Sequence, residues 1–386
     1  MIRIVFIITG LSTGGAEMML FKVLERLDRQ RFTPHVISLT TLGELAPRIA
    51  ALGIAVDAIG MKPGLPSPLG FLRLVRLIKR LKPDVVHTWM YHADLLGGLA
   101  ARLAGVSAVA WCIRNSNLDK DKTKYSTRAV VGLCALISKW VPSRILSCSE
   151  KARQVHVGCG YAAWKMVVVP NGFDLSQFKP DSDARSRVRA ELGITDQTPL
   201  VGLIGRFDPQ KNHVGFFEAV GLLHRHMPHV HFVLAGQGVD VSNAALMQTV
   251  TQNGVLANTH LLGLRRDIPS LMAALDVLAS SSSYGEAFPN VLGEAMACGV
   301  PCVVTDVGDS AYIVGDTGRV IATGDTAGLA HALAGILQLP TVERLALGAA
   351  TRTRVATHFE IGHITRQYEA FYADLGSTGD AENGPR

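Results

Sequence analysis

The chain has 386 residues, 48% of them hydrophobic and 18% charged, with a formal net charge of +6. That length holds two or three domains, and the composition excludes a disordered, collagenous or low-complexity chain. No apolar run approaches the about 18 residues a membrane-spanning helix needs, and the N-terminus Met1-Ile2-Arg3-Ile4-Val5-Phe6-Ile7-Ile8 reads as a buried strand rather than a signal peptide, so a cytoplasmic protein is expected.

In chain order, short apolar runs predict strands over 4–8, 35–39, 84–87, 108–111, 144–147 and 166–169. Helical periodicity predicts helices over 16–27, 69–81, 93–103, 127–139 and 150–157. A polar stretch over 174–196 reads as a linker. The alternation then restarts, with strands over 200–205, 231–235, 259–262, 277–279 and 302–305 and helices over 214–226, 243–253, 268–274, 291–297 and 327–337. Two more helices are expected over 342–358 and 361–375, and the small, polar segment 376–386 is expected to be a disordered tail. Continuous apolar strands between helices argue parallel sheets covered on both faces. The fold class is therefore α/β, with two Rossmann-like domains facing across a cleft, over 1–169 and 170–358. Ligands of such sheets bind at the carboxyl ends of the strands.

Charge divides unevenly between the halves. Residues 1–175 carry 23 Lys+Arg against 11 Asp+Glu, and the remainder 15 against 21. A basic half favours an anionic partner: a phosphate-bearing substrate, a membrane surface or nucleic acid. Nucleic acid is disfavoured, because no aromatic platform or reader motif accompanies the charge. The six cysteines lack C-x-x-C spacing and fit no zinc template, so they are expected to be buried, reduced thiols.

Four segments carry the chemistry. Gly10-Leu-Ser-Thr-Gly-Gly-Ala-Glu17 follows the first strand and opens the first helix, where paired glycines allow close backbone approach and the helix N-terminus favours an anion. It is not G-x-G-x-x-G, and no acidic residue ends the second strand, so a dinucleotide site is disfavoured. Arg206 and Lys211 follow the first strand of the second half, suited to clamping a diphosphate. Glu286 in a loop and Glu294 in the next helix can accept hydrogen bonds from sugar or ribose hydroxyls. His87 and His92 sit at a strand's carboxyl end. Asp119-Lys-Asp121 and Asp181-Ser-Asp183 match D-x-D superficially but lie in polar connections, so no metal site is expected.

These residues resemble a known family. Gly14-Gly15-Ala-Glu17, His87-Thr-Trp-x-x-His92-Ala, Val169-Pro-Asn171-Gly172-Phe-Asp174, Gly205-Arg206 with Lys211-Asn212, Gly236-x-Gly238, Leu262-Gly263, Glu286-x7-Glu294 and Gly299-Val-Pro301 are together similar to retaining glycosyltransferases of the GT-B architecture, family 4 (group 1). The resemblance covers essentially the whole chain and is specific for the family, less so for the sugar. It implies that Arg206 and Lys211 hold the nucleotide diphosphate and stabilise its developing charge. Glu294 would hold the ribose and Glu286 the donor sugar, assisted by backbone amides around Phe288, Pro289 and Asn290. Gly263 to Asp267 would hold the base, and Gly14 and Gly15 would lie against the phosphates. His92 would contact the sugar near the reacting carbon; His92, Arg206, Lys211 and Glu286 are thus the candidate catalytic residues. His87, Arg114 and Asn115 are the candidate acceptor contacts. The helix over 361–375 would cross back onto the first domain.

The resemblance also implies transfer from a nucleotide-diphosphate sugar, UDP favoured and GDP next, to a glycan or lipid-linked acceptor in bacterial surface-polysaccharide assembly, with no metal or cofactor. The basic amphipathic helix around 71–82 and the cations of 119–128 add possible peripheral contact with an anionic membrane. The alternatives are a nucleotide-sugar epimerase of the same architecture and a non-catalytic nucleotide-sugar-binding protein.

Overall fold

The computed structural model describes residues 1–12, 14–62, 67–118 and 123–381. The chain divides into two compact units, Met1–Gly172 with Ile361–Arg386, and Phe173–Glu360.

The first unit alternates β1 (Ile2–Ile8), α1 (Gly15–Arg26), β2 (Phe32–Ser38), α2 (Ala46–Ala51), β3 (Ala55–Ala58), α3 (Pro68–Leu81), β4 (Val85–Trp89), α4 (Tyr91–Leu103), β5 (Val109–Ile113), α5 (Tyr125–Ile137), β6 (Arg144–Ser147), α6 (Glu150–Gly158) and β7 (Met166–Val168). The seven strands are parallel in the order β3-β2-β1-β4-β5-β6-β7. The period-2 alternation of β1 sends Ile4, Phe6 and Ile8 into one core with Leu20, Val23 and Leu24 of α1. Val5 and Ile7 are equally buried, so both faces of the sheet are covered.

The second unit continues with α7 (Ser182–Glu191), β8 (Leu200–Ile204), α8 (His213–His226), β9 (His231–Ala235), α9 (Ala244–Gln252), β10 (Thr259–Leu261), α10 (Ile268–Ala274), β11 (Val277–Ser280), α11 (Asn290–Ala297), β12 (Cys302–Thr305), α12 (Ser310–Val314), β13 (Arg319–Ile321), α13 (Thr326–Leu337) and α14 (Thr341–His358). Its six parallel strands run β10-β9-β8-β11-β12-β13. A final helix, α15 (Ile361–Ala381), packs on α1 and β4 of the first unit, burying Ile364, Tyr368, Tyr372 and Leu375.

Three expectations need correction. The stretch 174–196 is not a linker: it contains α7, integral to the second unit. Asp181 caps α7 by accepting from the Ala184 N–H at 2.8 Å, and Ala184 and Val188 are buried. Arg189, 1% exposed, bonds the carbonyls of Ala274, Thr195 and Thr198 and pairs with Asp276 at 2.7 Å. One apolar residue per turn beside a buried arginine leaves little hydrophobic signal in the sequence. The segment 376–386 is not a disordered tail throughout, because α15 continues to Ala381; Gly376 packs by Ile2, and the Ser377 hydroxyl donates to the Asp374 carbonyl. Residues 382–386 lie outside the described residues. β3 and β13 are edge strands with exposed positions and weak apolar patterning, which sequence periodicity does not reveal. Five cysteines are buried and free, as expected, whereas Cys159 is exposed.

Asp276 also accepts from Arg185 at 2.8 Å and from the Leu200 N–H at 2.8 Å, so one carboxylate ties α7 to the start of β8. Removing it would leave Arg189 buried without a counter-charge. Asp276→Ala is expected to cost about 3–5 kcal/mol, read as a lower denaturant midpoint for the transition of the second unit.

Candidate functional site

In the second unit the strand order reverses between β8 and β11, and the loops leaving those two strands carry the expected residues. After β8 the chain makes a 3₁₀ turn at Pro209–Lys211, capped by Asp208, which accepts from the Gln210 N–H at 2.9 Å. This turn carries Lys211 Nζ to Glu286 Oε1 at 2.6 Å. The Ser282 hydroxyl donates to the same oxygen at 2.9 Å. The Ser281 hydroxyl donates to the Lys211 carbonyl, and the Ser283 N–H to the Gln210 carbonyl, so the two loops are sewn together. Glu286 is buried. Gly308, at φ +63°, lies so close that a Cβ there would collide with the Glu286 carbonyl. Arg206 is exposed and pairs with Asp208 at 3.0 Å.

Asn290 and Glu294 stand one turn apart on α11, both partly exposed. Phe288 is buried, stacked on Phe173 and edge-on to Phe359, so only its backbone is open to a ligand role; Pro289 is the N-cap of α11. The Gly263 carbonyl accepts from the Gly236 N–H at 2.8 Å, beside the loop after β9. Asp267 lies at the start of α10 and pairs with Arg265 at 2.7 Å, which holds its carboxyl below the usual range. Asp181 and Asp183 belong to the first turn of α7, and Asp119-Lys120-Asp121 lies outside the described residues. Among the described residues no group of three His, Cys, Asp or Glu is placed to hold a metal.

The first unit reverses its strand order between β1 and β4, and a cavity of about 650 Å³ opens there. Its wall is formed by Thr9, Gly10, Ser12, Ala16 and Glu17 after β1, by Met90, Tyr91, His92 and Leu95 after β4, and by Arg114 and Asn115 after β5. Gly14 is the N-cap of α1 and Gly15 its first residue, between wall residues Ser12 and Ala16. Met90 adopts φ +73°, unusual for a non-glycine residue, and so turns the chain sharply from β4 into α4. Buried Asp94 fixes that turn by accepting from the Thr88 hydroxyl at 2.5 Å and the Cys112 N–H at 3.3 Å. The Tyr91 hydroxyl meets His156 Nε2 at 2.8 Å.

Arg114 stacks on Trp89, its guanidinium carbon 4.9 Å from the ring centroid. It donates to Asn171 Oδ1 and, at 3.4 Å, to the Tyr368 hydroxyl. Burial pushes the His92 imidazole below its ordinary value. Burial pushes the Glu17 carboxyl up, opposed by its own backbone N–H and by Arg114. The structure thus gathers His92, Arg114 and Asn115 in one wall.

His87 is a correction: it does not reach the cavity. Its ring is fully buried among Phe6, Trp89, Phe371 and Tyr372, with Nδ1 2.9 Å from the Tyr372 hydroxyl, and burial lowers its pKa to about 3. The period of β4 turns position 87 toward the α15 face, whereas His92 lies beyond the Met90 turn. Glu17, Lys62 and Tyr91 also line the cavity and were not among the expected contacts. The available signal for Glu17 was a carboxylate three residues into a helix opened by a glycine pair.

Residues 13–177 match the family model described as Glycosyltransferase Family 4, and residues 198–339 match that described as Glycosyl transferases group 1. The chain belongs to the group 1, family 4 glycosyltransferases. It is 29% identical to UDP-Gal:alpha-D-GlcNAc-diphosphoundecaprenol alpha-1,3-galactosyltransferase of Escherichia coli over 63% of this chain and 63% of that enzyme. It is 25% identical to the lipopolysaccharide core biosynthesis mannosyltransferase LpsB of Rhizobium meliloti over 87% of this chain and 93% of that one. The structure of Anabaena HepE in complex with UDP and glucose superimposes with a TM-score of 0.83, at 22% identity, over 97% of this chain and all of that one. WaaG, a glycosyltransferase involved in lipopolysaccharide biosynthesis, superimposes at 0.73 and 16% identity over 99% and 100%. The glycosyltransferase therefore has the GT-B fold: two parallel-sheet α/β domains.

Besides His87, burial lowers His156 and His213 to about 4. The unfolded chain binds protons on these groups near pH 6.5. Their contribution is therefore fully present above about pH 6.5 and is lost as pH falls toward about 4, because protonation favours the unfolded state. Denaturant titrations across this window should show stability falling with acid. His87→Gln should make the slope shallower by up to about 1.4 kcal/mol per pH unit.

Proposed function

We propose that this glycosyltransferase moves a sugar, with retention of anomeric configuration, from a nucleotide-diphosphate sugar to a hydroxyl of a glycan or lipid-linked acceptor in surface-polysaccharide or lipopolysaccharide assembly. The observation that carries the reading is the cluster of Lys211, Glu286 and Arg206 on the loops after β8 and β11, ahead of the N-terminus of α11. Fixed cations at that place are suited to the charge that grows on a departing diphosphate, so the positive charge comes from side chains and no metal is needed. Glu294 is assigned to the ribose and Glu286 to hydroxyls of the donor sugar. Glu286 would release Lys211 to the phosphate on binding. A front-face substitution, with nucleophile and leaving group on one side of the sugar, gives retention without an enzymic nucleophile.

UDP is the favoured nucleotide and GDP the next. The support is the E. coli relative, whose name gives UDP-Gal as donor and a diphosphoundecaprenol-linked acceptor, and HepE, whose complexes hold UDP, glucose and UDP-glucose. Among the described residues no helix is long and apolar enough to cross a membrane. Peripheral contact with the inner membrane face is supported by α3, whose cations Arg73, Arg76, Lys79 and Arg80 accompany exposed Leu69 and Leu72. It is also supported by α5 and its end, where Leu133, Leu136 and Trp140 are exposed.

A thermal-shift screen against UDP, GDP, ADP and their sugar conjugates should select one nucleotide, with stabilisation of about 2.7 kcal/mol at a hundredfold excess over Kd. Glu294→Ala should weaken nucleotide binding and raise KM. Lys211→Ala should lower kcat by about 10²-fold or more. Equal effects of both on nucleotide affinity alone would refute that division of roles. Chelation with EDTA should leave turnover unchanged, and salt-sensitive sedimentation with anionic liposomes should follow if the basic faces meet a membrane.

A further inference from the structure

We infer that the cavity of the first unit seats a phosphate group, so that the acceptor is a phosphate-bearing molecule and not a neutral glycan. The inference rests on the transferase reading, in which Arg114 is an acceptor contact, and it names the acceptor's chemical class. Arg114 carries it. Asn171 Oδ1 and the Tyr368 hydroxyl, both neutral, accept its hydrogen bonds, and the guanidinium lies over the Trp89 ring at 4.9 Å. Among the described residues no carboxylate is hydrogen-bonded or ion-paired to it. A partly buried cation without a counter-charge is unfavourable unless a ligand supplies one. Three neutral groups fix this one in place. They leave it its charge and guanidinium N–H donors, and arginine binds phosphate oxygens in pairs through such donors.

The rest of the wall agrees. Lys62, exposed after β3, is a second cation on the same cavity, and among the described residues it too has no carboxylate partner. α4 and α5 begin in the wall, at Tyr91 and His92 and at Ser126 and Thr127, and neither N-cap side chain bonds the first turn. Ser67 and Ser149, which do not line the cavity, cap α3 and α6. The N–H groups that a cap would engage are thus available where α4 and α5 start, and they favour an anion. Glu17 is the opposing charge. Its carboxyl is folded back over Gly14, where a Cβ would collide with Oε2, and burial pushes it up toward the neutral form. Leu39, Met61, Leu95, Leu96 and Val130 add an apolar wall beside the cations, suited to a phosphate joined to a hydrocarbon chain.

The experiment uses the full chain and titration calorimetry. The probes are farnesyl diphosphate below its micelle concentration, farnesol, glucose 1-phosphate and inorganic pyrophosphate, each with and without saturating UDP. Farnesyl diphosphate should bind with UDP present, and farnesol should bind about 10²-fold more weakly. Arg114→Gln should weaken farnesyl diphosphate by about 10²-fold and leave UDP affinity unchanged. Arg114→Lys should be intermediate, because a point charge replaces the fork. Lys62→Gln, at an exposed position, should weaken it about threefold and reduce its salt dependence; it carries the test if the arginine variants do not fold. A preference for farnesyl diphosphate upholds the seat with a lipid as the source of the phosphate. Glucose 1-phosphate or pyrophosphate held as tightly, and lost with Arg114, upholds it with a soluble sugar phosphate as the source. Farnesol bound as tightly as its diphosphate, variants that bind like the wild type, or displacement of farnesyl diphosphate by UDP would each overturn the inference. Transfer to a neutral glycan by protein that holds no phosphate probe in the cavity would overturn it and leave the transferase reading standing. Arg114-dependent binding of farnesyl diphosphate by protein that takes up no nucleotide would uphold the seat and overturn the transferase reading.

Discussion

The handedness of the parallel crossover decides where each unit can do chemistry. A strand–helix–strand connection is right-handed in nearly every case, so helices on opposite faces of a sheet require the chain to grow outward, return and restart on the other side. Here β1, β2 and β3 build outward and β4 restarts beside β1; β8, β9 and β10 repeat the pattern with β11. The loops leaving such neighbouring strands diverge and leave a crevice at their carboxyl ends. Glu17 and His92 both line the cavity at one such point. Lys211 and Glu286, 75 residues apart in sequence, meet at the other.

The two crevices use charge in opposite ways. Lys211 and Glu286 neutralise one another, with Ser282 sharing the carboxylate. A desolvated pair of this kind gains little net stability, since the cost of removing both charges from water offsets their attraction. Exchanging Glu286 for a ligand anion on Lys211 is therefore not a steep uphill step. Arg114 has Trp89, Asn171 and Tyr368 instead, all neutral, and they fix its direction without cancelling its charge. A cation so held biases the protonation of whatever shares its cavity, Glu17 included. The second crevice is suited to trading one anion for another, the first to taking one in without giving one up.

How legible this was in the sequence follows from which physics each feature uses. Continuous apolar strands such as 4–8 and 231–235 and the amphipathic α3 announce themselves, because burial on a sheet imposes its own pattern. The placing of Lys211 and Glu286 at the same end of the sheet was also readable, since the loops leaving the parallel strands of a doubly wound sheet all lie at their carboxyl ends. The polar helix α7 was not: its hold on the second unit is the Arg189–Asp276 pair, whose partners lie 87 residues apart. His87 misled for a related reason. Its place at a strand's end resembled that of His92, and only the register of β4 against β1, with His87 beside Phe6, shows which face it takes. Glu17 stood inside a quoted motif, but its collision with a Gly14 side chain is a three-dimensional fact.

The last helix bears on the same point. The Phe6, His87 and Trp89 face of the first sheet is covered by α15, which supplies Tyr368, Phe371 and Tyr372 from the far end of the chain. Tyr368 stacks on Trp89, and Trp89 in turn underlies Arg114. The cation that biases the cavity is therefore positioned by β4, by Asn171 where the first unit ends, and by a helix that returns after the entire second unit. Residues 1–172 contain every group in the cavity wall, yet they lack the ring that holds Trp89 and the hydroxyls that meet Arg114 and His87. The return of the chain is thus part of the cavity's electrostatics as well as of its core.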